Sequence, residues 1–237
     1  MSSRDYQGKL YHCCSFFVCI GWQSGSVIKP LLNLLLPDFC VGCDRIGTQL
    51  CHTCRSHICF VDQRHSQAVR ETTHIQKIWS CVEYRDMAHE LVKAVKYDRY
   101  WSYTKIMARL MFHSFESQLR DAGVEVFLPV PLASQRKRWR GFNQAECLAQ
   151  ELGKLLNLPI ETHALRRTTA RTNQAKLNKV ERQSLEHDYM ARPNFLTSKT
   201  VCLVDDVTTT GATLEACAAA LNQVGIQKIY ATTFAAA

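Results

Sequence analysis

The chain has 237 residues, of which 46% are hydrophobic and 21% charged, a composition that excludes an intrinsically disordered protein. The net charge of +8 is concentrated between positions 136 and 182, which contain 11 lysines and arginines but only four acidic residues. This distribution indicates a basic surface for a polyanion. The twelve cysteines do not indicate a disulfide framework, because several lie in apolar stretches and four have metal-ligand spacing; this usage is typical of a reducing cytoplasm.

The first 30 residues contain no motif that we can interpret. They have a basic start and an apolar centre like a signal peptide, but His12 and adjacent cysteines interrupt that centre. We interpret residues 1–30 as a nonessential extension. No stretch of the chain is apolar for long enough to predict a membrane-spanning helix.

Residues 31–62 are predicted to form a small zinc-ribbon module. Two CxxC pairs supply its metal ligands, which are Cys40, Cys43, Cys51 and Cys54. Each pair can place two thiolates on one ion, and four thiolates make a closed tetrahedral site that suits structural Zn²⁺ and leaves no position for catalysis. His57 and Cys59 lie nearby, and either could replace one of the four ligands.

Residues 76–237 are predicted to form an α/β domain with a parallel sheet flanked by helices. After a polar connection, we expect a strand at 78–84, helices at 88–95 and 101–119, and a strand at 124–132. A further helix is predicted at 145–158, with four leucines facing inward: Leu148, Leu152, Leu155 and Leu156.

A basic loop follows the strand at 124–132, and ligands of such sheets bind beyond the carboxyl ends of strands. Its cations and aromatic residues are Arg136, Lys137, Arg138, Trp139, Arg140 and Phe142. Guanidinium groups can bind a diphosphate, which would make Arg136 and Arg140 catalytic through charge stabilisation. The same residues can bind single-stranded nucleic acid, with phosphates on the cations and bases on the aromatic rings. A plain solvated loop is the alternative.

The segment 164–174 is basic and rich in hydroxyl groups, and we interpret it as a mobile lid that precedes a charged helix reaching Arg182. The next strong signal is the apolar run from Thr200 to Val204. We expect the helix after it to bury Leu214, Cys217, Ala218 and Leu221 and to end at Gly225. A last strand is predicted at 226–234.

Between that apolar strand and that helix lies a predicted phosphate site. It comprises Asp205, Asp206, Val207, Thr208, Thr209, Thr210, Gly211, Ala212 and Thr213. Small hydroxyl residues, a glycine and a helix N-terminus can surround a phosphate, while the two carboxylates can accept hydrogen bonds from sugar hydroxyls and hold Mg²⁺. Phosphoribosyl diphosphate, with its 5-phosphate, diol and metal-bound diphosphate, suits all these groups.

The run LVDDVTTTGAT resembles the signature of type I phosphoribosyltransferases. The resemblance implies that Asp205 and Asp206 hold the ribose 2- and 3-hydroxyls and that the following loop surrounds the 5-phosphate. An ordinary strand, turn and helix with an acidic turn is the alternative.

The whole order of motifs resembles the ComF family, which includes ComFC-like and GntX-like proteins. The motifs are CxxC…CxxC, PVPL, R-x-x-x-RGFNQ, R-x-x-x-x-x-x-Q-x-x-L and LVDDVTTTGAT, and they span roughly residues 31 to 235. The resemblance implies a zinc ribbon on a type I phosphoribosyltransferase-like domain in the bacterial cytoplasm. It also implies the handling of single-stranded DNA during natural transformation, with competence or DNA-processing proteins as partners. One departure is Leu185, where the family usually has Asn.

Two functions of different classes follow from these patterns. The first is an enzyme that transfers phosphoribosyl groups, with Asp205, Asp206, Arg136 and Arg140 at its catalytic site. The second is a non-catalytic module that keeps the sugar-phosphate site and uses it to bind DNA or to sense phosphoribosyl diphosphate.

Overall fold

The computed structural model describes residues 38–62, 72–97, 101–133, 138–168, 188–195 and 198–237. Residues Phe39–Ala237 form one compact unit. Of the residues before Phe39, Asp38 alone is described. The predicted extension at 1–30 therefore lies outside the described residues.

The described residues contain six strands and five α-helices. The strands are β1 (Lys77–Glu83), β2 (Val126–Pro129), β3 (Leu165–Arg167), β4 (Tyr189–Ala191), β5 (Thr200–Thr208) and β6 (Lys228–Ala236). The helices are α1 (His52–Arg55), α2 (Asp86–Lys96), α3 (Thr104–Asp121), α4 (Gln144–Leu156) and α5 (Ala212–Gln223). Single 3₁₀ turns lie at Trp101–Tyr103 and Pro193–Phe195.

Four of the strands form a parallel sheet in the order β1-β6-β5-β2, and β3 pairs with β4 in a separate antiparallel ribbon. Parallel neighbours require crossover connections, and helices supply them here. The predicted class, a mixed α/β fold with a parallel sheet flanked by helices, is confirmed.

The sheet is covered on both faces. Helices α2, α3 and α4 pack on one face, against residues such as Trp79, Phe127 and Phe234. Helix α5 and the β3–β4 ribbon pack on the other face, against residues such as Leu203 and Ile229. Strand β5 lies inside the sheet and is buried on both faces, which explains why its first half is continuously apolar.

Both edges of the sheet have further chain beside them. Phe60 forms an antiparallel bridge with Val82 of β1, and Ile160 forms a parallel bridge with Phe127 of β2. The Glu83 N–H donates to the Cys59 carbonyl at 2.9 Å, which ties the cysteine-rich segment to β1. These added segments pair with edge strands that would otherwise expose backbone donors and acceptors.

Two predicted elements differ from the observed ones for local reasons. Strand β2 is shorter than predicted and ends at Pro129, because Pro129 and Pro131 have no N–H for the sheet. In α4 the leucines at 148, 152 and 156 are buried, as predicted, but Leu155 is 38% exposed. Position 155 follows Leu148 by seven residues and lies about 20° from it around the helix, so its angle does not explain the exposure; Leu155 lies in the last turn of α4, which ends at Leu156.

The predicted lid is partly wrong. Ala164 and Leu165 are buried, and residues Leu165–Arg167 form β3 instead of a solvated segment. The Arg192 N–H donates to the Ala164 carbonyl at 2.8 Å, which continues the ribbon. The rest of the predicted lid from residue 169, the helix reaching Arg182 and Leu185 lie outside the described residues.

Candidate functional site

Four cysteine thiols lie together beside the sheet. The Sγ atoms of Cys40, Cys43, Cys51 and Cys54 are all within 4.8 Å of one another. Tetrahedral Zn²⁺ with Zn–S bonds of about 2.3 Å requires sulfur atoms about 3.8 Å apart, and the Cys43 and Cys51 sulfurs are 3.6 Å apart. The cluster therefore fits a four-thiolate zinc site. Among the described residues it does not include His57 or Cys59.

Backbone amides support these sulfurs. The Cys51 N–H donates to Cys40 Sγ at 3.3 Å, and the Cys54 N–H donates to Cys51 Sγ at 3.4 Å, where Cys51 also caps α1. Burial disfavours the Cys40 thiolate, but hydrogen bonds from the amides of Cys51, Gly42 and Cys43 outweigh it and lower the pKa of Cys40 to about 6. A thiol that ionises this readily is prepared for metal ligation.

The cysteine cluster packs directly on α2. A Cβ atom added at Gly42 would overlap Met87 Cε and lie 2.8 Å from Cys54 Sγ, so only glycine allows this approach. The Tyr103 hydroxyl donates to the Phe39 carbonyl at 3.0 Å. The metal module and the helices on this face of the sheet therefore share contacts.

The acidic pair lies in the carboxyl-terminal half of β5. Asp206 is 8% exposed, and its Oδ2 lies 3.0 Å from Nζ of Lys96, the last residue of α2. Asp205 Oδ1 accepts the Asp206 N–H at 2.8 Å. Successive strand residues point to opposite faces, so the two carboxylates begin on opposite sides of the sheet close to its edge.

The surroundings of Asp205 disfavour its charge. Burial raises the pKa of Asp205 most, and the neighbouring Asp206 charge raises it further, to about 8. The Asp206 amide and Lys96 oppose these effects only in part. On the same side of the sheet, burial and then the Asp205 charge raise the pKa of the Cys217 thiol in α5. Near neutral pH, Asp205 therefore retains its proton.

The predicted phosphate loop connects β5 to α5. Thr209 and Thr210 are exposed, and Gly211 adopts a left-handed conformation with φ of 76°, which favours glycine. The Thr210 hydroxyl accepts the Ala212 N–H at 3.4 Å, and no side chain caps the helix at Gly211. Of the other predicted loop residues, Thr208 is buried, Val207 and Thr213 are half-buried, and Ala212 is exposed.

The basic loop is described from residue 138, so predicted Arg136 and Lys137 lie outside the described residues. Residues 138–140 are helical, with Arg138 and Trp139 exposed and Arg140 half-buried. Gly141 has φ of 83° and redirects the chain. Phe142 is half-buried and packs on the hydrophobic core.

Asn143 fixes the end of this loop. Its Nδ2 donates to the Val130 carbonyl at 3.0 Å, and its Oδ1 accepts the Ala145 N–H at 3.2 Å, which caps α4. The next residue, Gln144, is 2% exposed. Within the described residues, neither Gln144 Nε2 nor Arg140 Nε has a hydrogen-bond acceptor. Two buried donors in one loop leave hydrogen-bonding capacity for a ligand.

The end of α2 connects the basic loop to the acidic pair. The Arg140 guanidinium lies over the Tyr97 ring, 5.6 Å from its centroid, and the Tyr97 and Trp139 ring centroids are 6.4 Å apart. Tyr97 directly follows Lys96, which binds Asp206. The structure thus brings two predicted parts of the site, the basic loop and the acidic pair, to two adjacent residues that the patterns did not indicate.

The β3–β4 ribbon holds the two ends of the segment 169–187. Arg167 Nη2 lies 3.3 Å from Asp188 Oδ2, and the Thr168 N–H donates to the Asp188 carbonyl at 2.8 Å. The Arg167 guanidinium also lies over the Tyr189 ring, and burial raises the pKa of Tyr189 to about 12.

In the described part of the chain, no helix is both long and apolar enough to cross a membrane.

Comparison with known proteins finds similar chains. The chain is 26% identical over 206 residues to Competence protein F of Haemophilus influenzae, covering 84% of this chain and 90% of that protein. It is 27% identical over 229 residues to Competence protein ComFC of Bacillus subtilis, covering 88% of each. The resemblance to the ComF family is confirmed. No protein-family model matches the chain.

A third match is shorter. The DNA utilization protein YhgH of Escherichia coli O157:H7 is 28% identical over 144 residues, which is 59% of this chain and 63% of that protein. The Bacillus subtilis alignment covers 88% of the chain, which is too much to omit either the cysteine cluster or the acidic pair. The ComF resemblance therefore includes both candidate sites.

Sequence reasoning missed three residues of the candidate site: Lys96, Tyr97 and Gln144. Lys96 ends a helix, where the helix dipole favours a cation. This local effect does not predict a contact with Asp206, which lies 110 positions later in the chain. Gln144 belongs to the RGFNQ motif, and its residue type alone does not predict burial. No signal in the sequence indicates that Tyr97 lies beside Trp139.

Proposed function

We propose that this chain is a cytoplasmic ComF-type protein that acts in DNA uptake by binding phosphoribosyl diphosphate with Mg²⁺ and single-stranded DNA. The competence and DNA-utilization names of its relatives support the process. In this proposal residues 31–62 form the zinc-ribbon module and residues 76–237 the phosphoribosyltransferase-like domain. One observation carries the ligand assignment: two carboxylates near the end of a central parallel strand are followed by a short loop and a helix N-terminus whose N-cap residue is a glycine.

The 5-phosphate of the ligand is proposed to lie at the N-terminus of α5. The N-cap residue Gly211 has no side chain, the Ala212 amide donates only a long bond of 3.4 Å to the Thr210 hydroxyl, and Thr209 and Thr210 are exposed beside it. The partial positive charge of a 12-residue helix favours an anion at this end. Gly211 allows the backbone to turn closely around the phosphate.

The ribose diol is proposed to be bound by Asp205 and Asp206. Both carboxyl groups lie close to the strand end, so a ligand above this edge can meet both. When the ligand binds, Asp206 would give up part of its ion pair with Lys96 and contact the ligand instead. Asp205 would release its proton on ligand binding at neutral pH. Carboxylate oxygens suit Mg²⁺, which would neutralise the diphosphate charge when bound.

As an enzyme, the protein would catalyse substitution at the ribose anomeric carbon. A nucleophile forms a bond to the anomeric carbon while the bond between that carbon and the diphosphate oxygen breaks. The electron pair of the broken bond leaves with the diphosphate. Arg140 would stabilise this negative charge, and its buried Nε, which has no acceptor among the described residues, supports this role. The predicted contribution of Arg136 remains part of the proposal.

Calorimetry on the full-length protein tests the ligand site. The Asp205→Asn, Asp206→Asn double variant should lose measurable binding of phosphoribosyl diphosphate with Mg²⁺, because neither side chain can then be a carboxylate in the complex. Asp121→Asn, at the exposed end of α3, is the matched control and should bind as the parent does. Unchanged affinity in the double variant would refute the site.

DNA binding has an independent test. Neutralising Arg138 and Arg140 to Gln should weaken binding of a 15-nucleotide single strand and reduce the slope of log affinity against log salt by roughly 1, since each phosphate contact contributes about 0.7 on single strands. A slope equal to that of the parent protein would remove the basic loop from DNA binding.

Diphosphate release distinguishes the enzyme from a binding module. The parent protein is incubated with phosphoribosyl diphosphate, Mg²⁺ and a panel of nucleobases and amines, and diphosphate is measured. Release that disappears in the Asp205→Asn, Asp206→Asn variant supports transfer. Tight ligand binding without release across the panel would instead favour the non-catalytic module that binds DNA or senses the ligand.

A further inference from the structure

Two aromatic side chains meet at the surface where α2 ends. Tyr97 is 58% exposed and Trp139 is 57% exposed, although both are large and apolar. Their ring centroids are 6.4 Å apart with planes inclined at 65°, so the rings form an edge-to-face corner. We call this pair the aromatic corner. Because both rings are more than half exposed, the corner has contact area to offer a ligand.

One arginine lies over the aromatic corner, and two other cations are next to its residues in the chain. The Arg140 guanidinium lies over the Tyr97 ring at 5.6 Å, and exposed Arg138 is next to Trp139 in the chain. Lys96, on the other side of Tyr97, binds Asp206 in the acidic pair. An apolar protein partner would have to desolvate these cations, whereas a strand of nucleic acid would pair them with its phosphates.

The aromatic corner is distinct from the predicted stacking residues. Phe142, predicted to contact bases, is half-buried against the hydrophobic core and has little ring surface to offer. Tyr97 belongs to a different element, and it contributes the second ring only because α2 ends beside the basic loop. Base contact therefore requires residues from two distant parts of the chain.

We infer that Tyr97 and Trp139 form a base-stacking site for single-stranded DNA, with Arg138 and Arg140 binding the adjoining phosphates. This inference rests on the proposed DNA binding and adds to it the residue that contacts the base. Every base has a π-face, so the site accepts any sequence. It predicts that affinity depends on the presence of bases and on Tyr97.

The experiment compares two 15-nucleotide strands by fluorescence anisotropy at one salt concentration. One strand is oligothymidine, and the other has the same backbone with abasic sites throughout. Tyr97→Ala should weaken oligothymidine binding by about 5- to 150-fold, the loss expected for one stacked base, and should leave abasic binding unchanged. Tyr97→Phe should restore the parent affinity, because it restores the ring.

Phe60→Ala is the matched control, because Phe60 is an exposed aromatic residue (50%) next to the cysteine cluster and outside the basic loop. It should bind both strands as the parent does. Parent protein that binds neither strand would overturn the proposed DNA binding itself. Parent protein that binds both strands, with Tyr97→Ala binding oligothymidine equally well, would overturn the stacking site alone. If the protein binds thymidine monophosphate in a way that depends on Tyr97 but binds neither strand, DNA is not the ligand of the aromatic corner.

Discussion

The carboxyl group of Asp205 lies where the fold disfavours its charge. Burial and the adjacent Asp206 raise its pKa from 3.8 to about 8. Between these two values the unfolded chain has lost this proton and the folded chain retains it. The free energy of unfolding therefore falls as the pH rises from about 4 to about 8, and this contribution levels off above that.

At the residue scale, Asp205→Asn should stabilise the protein while it weakens ligand binding. The amide oxygen can still accept the Asp206 N–H, and the variant no longer has a buried carboxylate to ionise. We expect a gain on the order of a few kcal/mol at pH 8 and almost none at pH 4. Urea denaturation at pH 5, 6, 7 and 8 measures it.

The exposed Asp121→Asn variant is the control for that series and should follow the pH dependence of the parent protein. If Asp205→Asn and the parent protein show the same pH dependence of unfolding, Asp205 does not have a raised pKa in the fold. Active sites commonly retain such destabilising groups because ligand binding needs them.

Single residues differ in how far the sequence predicts them. The four cysteine ligands follow from spacing alone, because a CxxC pair creates its own local geometry. Lys96 and Tyr97 could not be predicted, because their roles come from contacts with Asp206 and Trp139, which lie far away in the chain. Nothing in the residues next to Lys96 encodes these distances.

At the element scale, α4 contains a matched pair of leucines. Leu148 is fully buried and Leu155 is 38% exposed, although both belong to the same predicted apolar face. Leu148→Ala should lower the free energy of unfolding by about 2–5 kcal/mol, because it leaves a cavity in the core. Leu155→Ala should change it by less than about 1 kcal/mol.

Guanidinium denaturation of both variants checks this difference, and the identical substitution in one helix removes helix propensity as an explanation. Equal losses in the two variants would mean that Leu155 is buried in solution. The periodicity of the sequence predicted the helix but placed one leucine wrongly, because the width of a buried stripe depends on the neighbouring elements.

At the scale of the whole molecule, the cysteine cluster is joined to the sheet. Backbone hydrogen bonds connect Cys59 and Val61 to β1, and Met87 of α2 packs against Gly42. Loss of the metal should therefore affect an edge of the sheet as well as the module.

Cys43→Ser should release zinc and make the Glu83 amide, which donates to the Cys59 carbonyl, exchange at least about tenfold faster. Amides of the central strand β5 should keep their protection. Cys147→Ser, outside the cluster, is the control. Metal analysis and hydrogen exchange on the full-length protein measure both effects. Absence of zinc from the parent protein, or unchanged Glu83 exchange after zinc loss, would contradict this coupling.

The sequence by itself determined the features that neighbouring residues create together. These are the paired CxxC motifs, the α/β alternation, and the strand, acidic pair and small-residue loop from residue 200 to 213. The tertiary structure alone decided which distant groups meet there: Lys96 on Asp206, Tyr97 beside Trp139, and the cysteine-rich segment against β1. The physical reason is the distance along the chain over which each kind of interaction acts. Backbone geometry and hydrophobic periodicity act over a few residues, whereas ion pairs, ring contacts and burial depend on how whole elements pack.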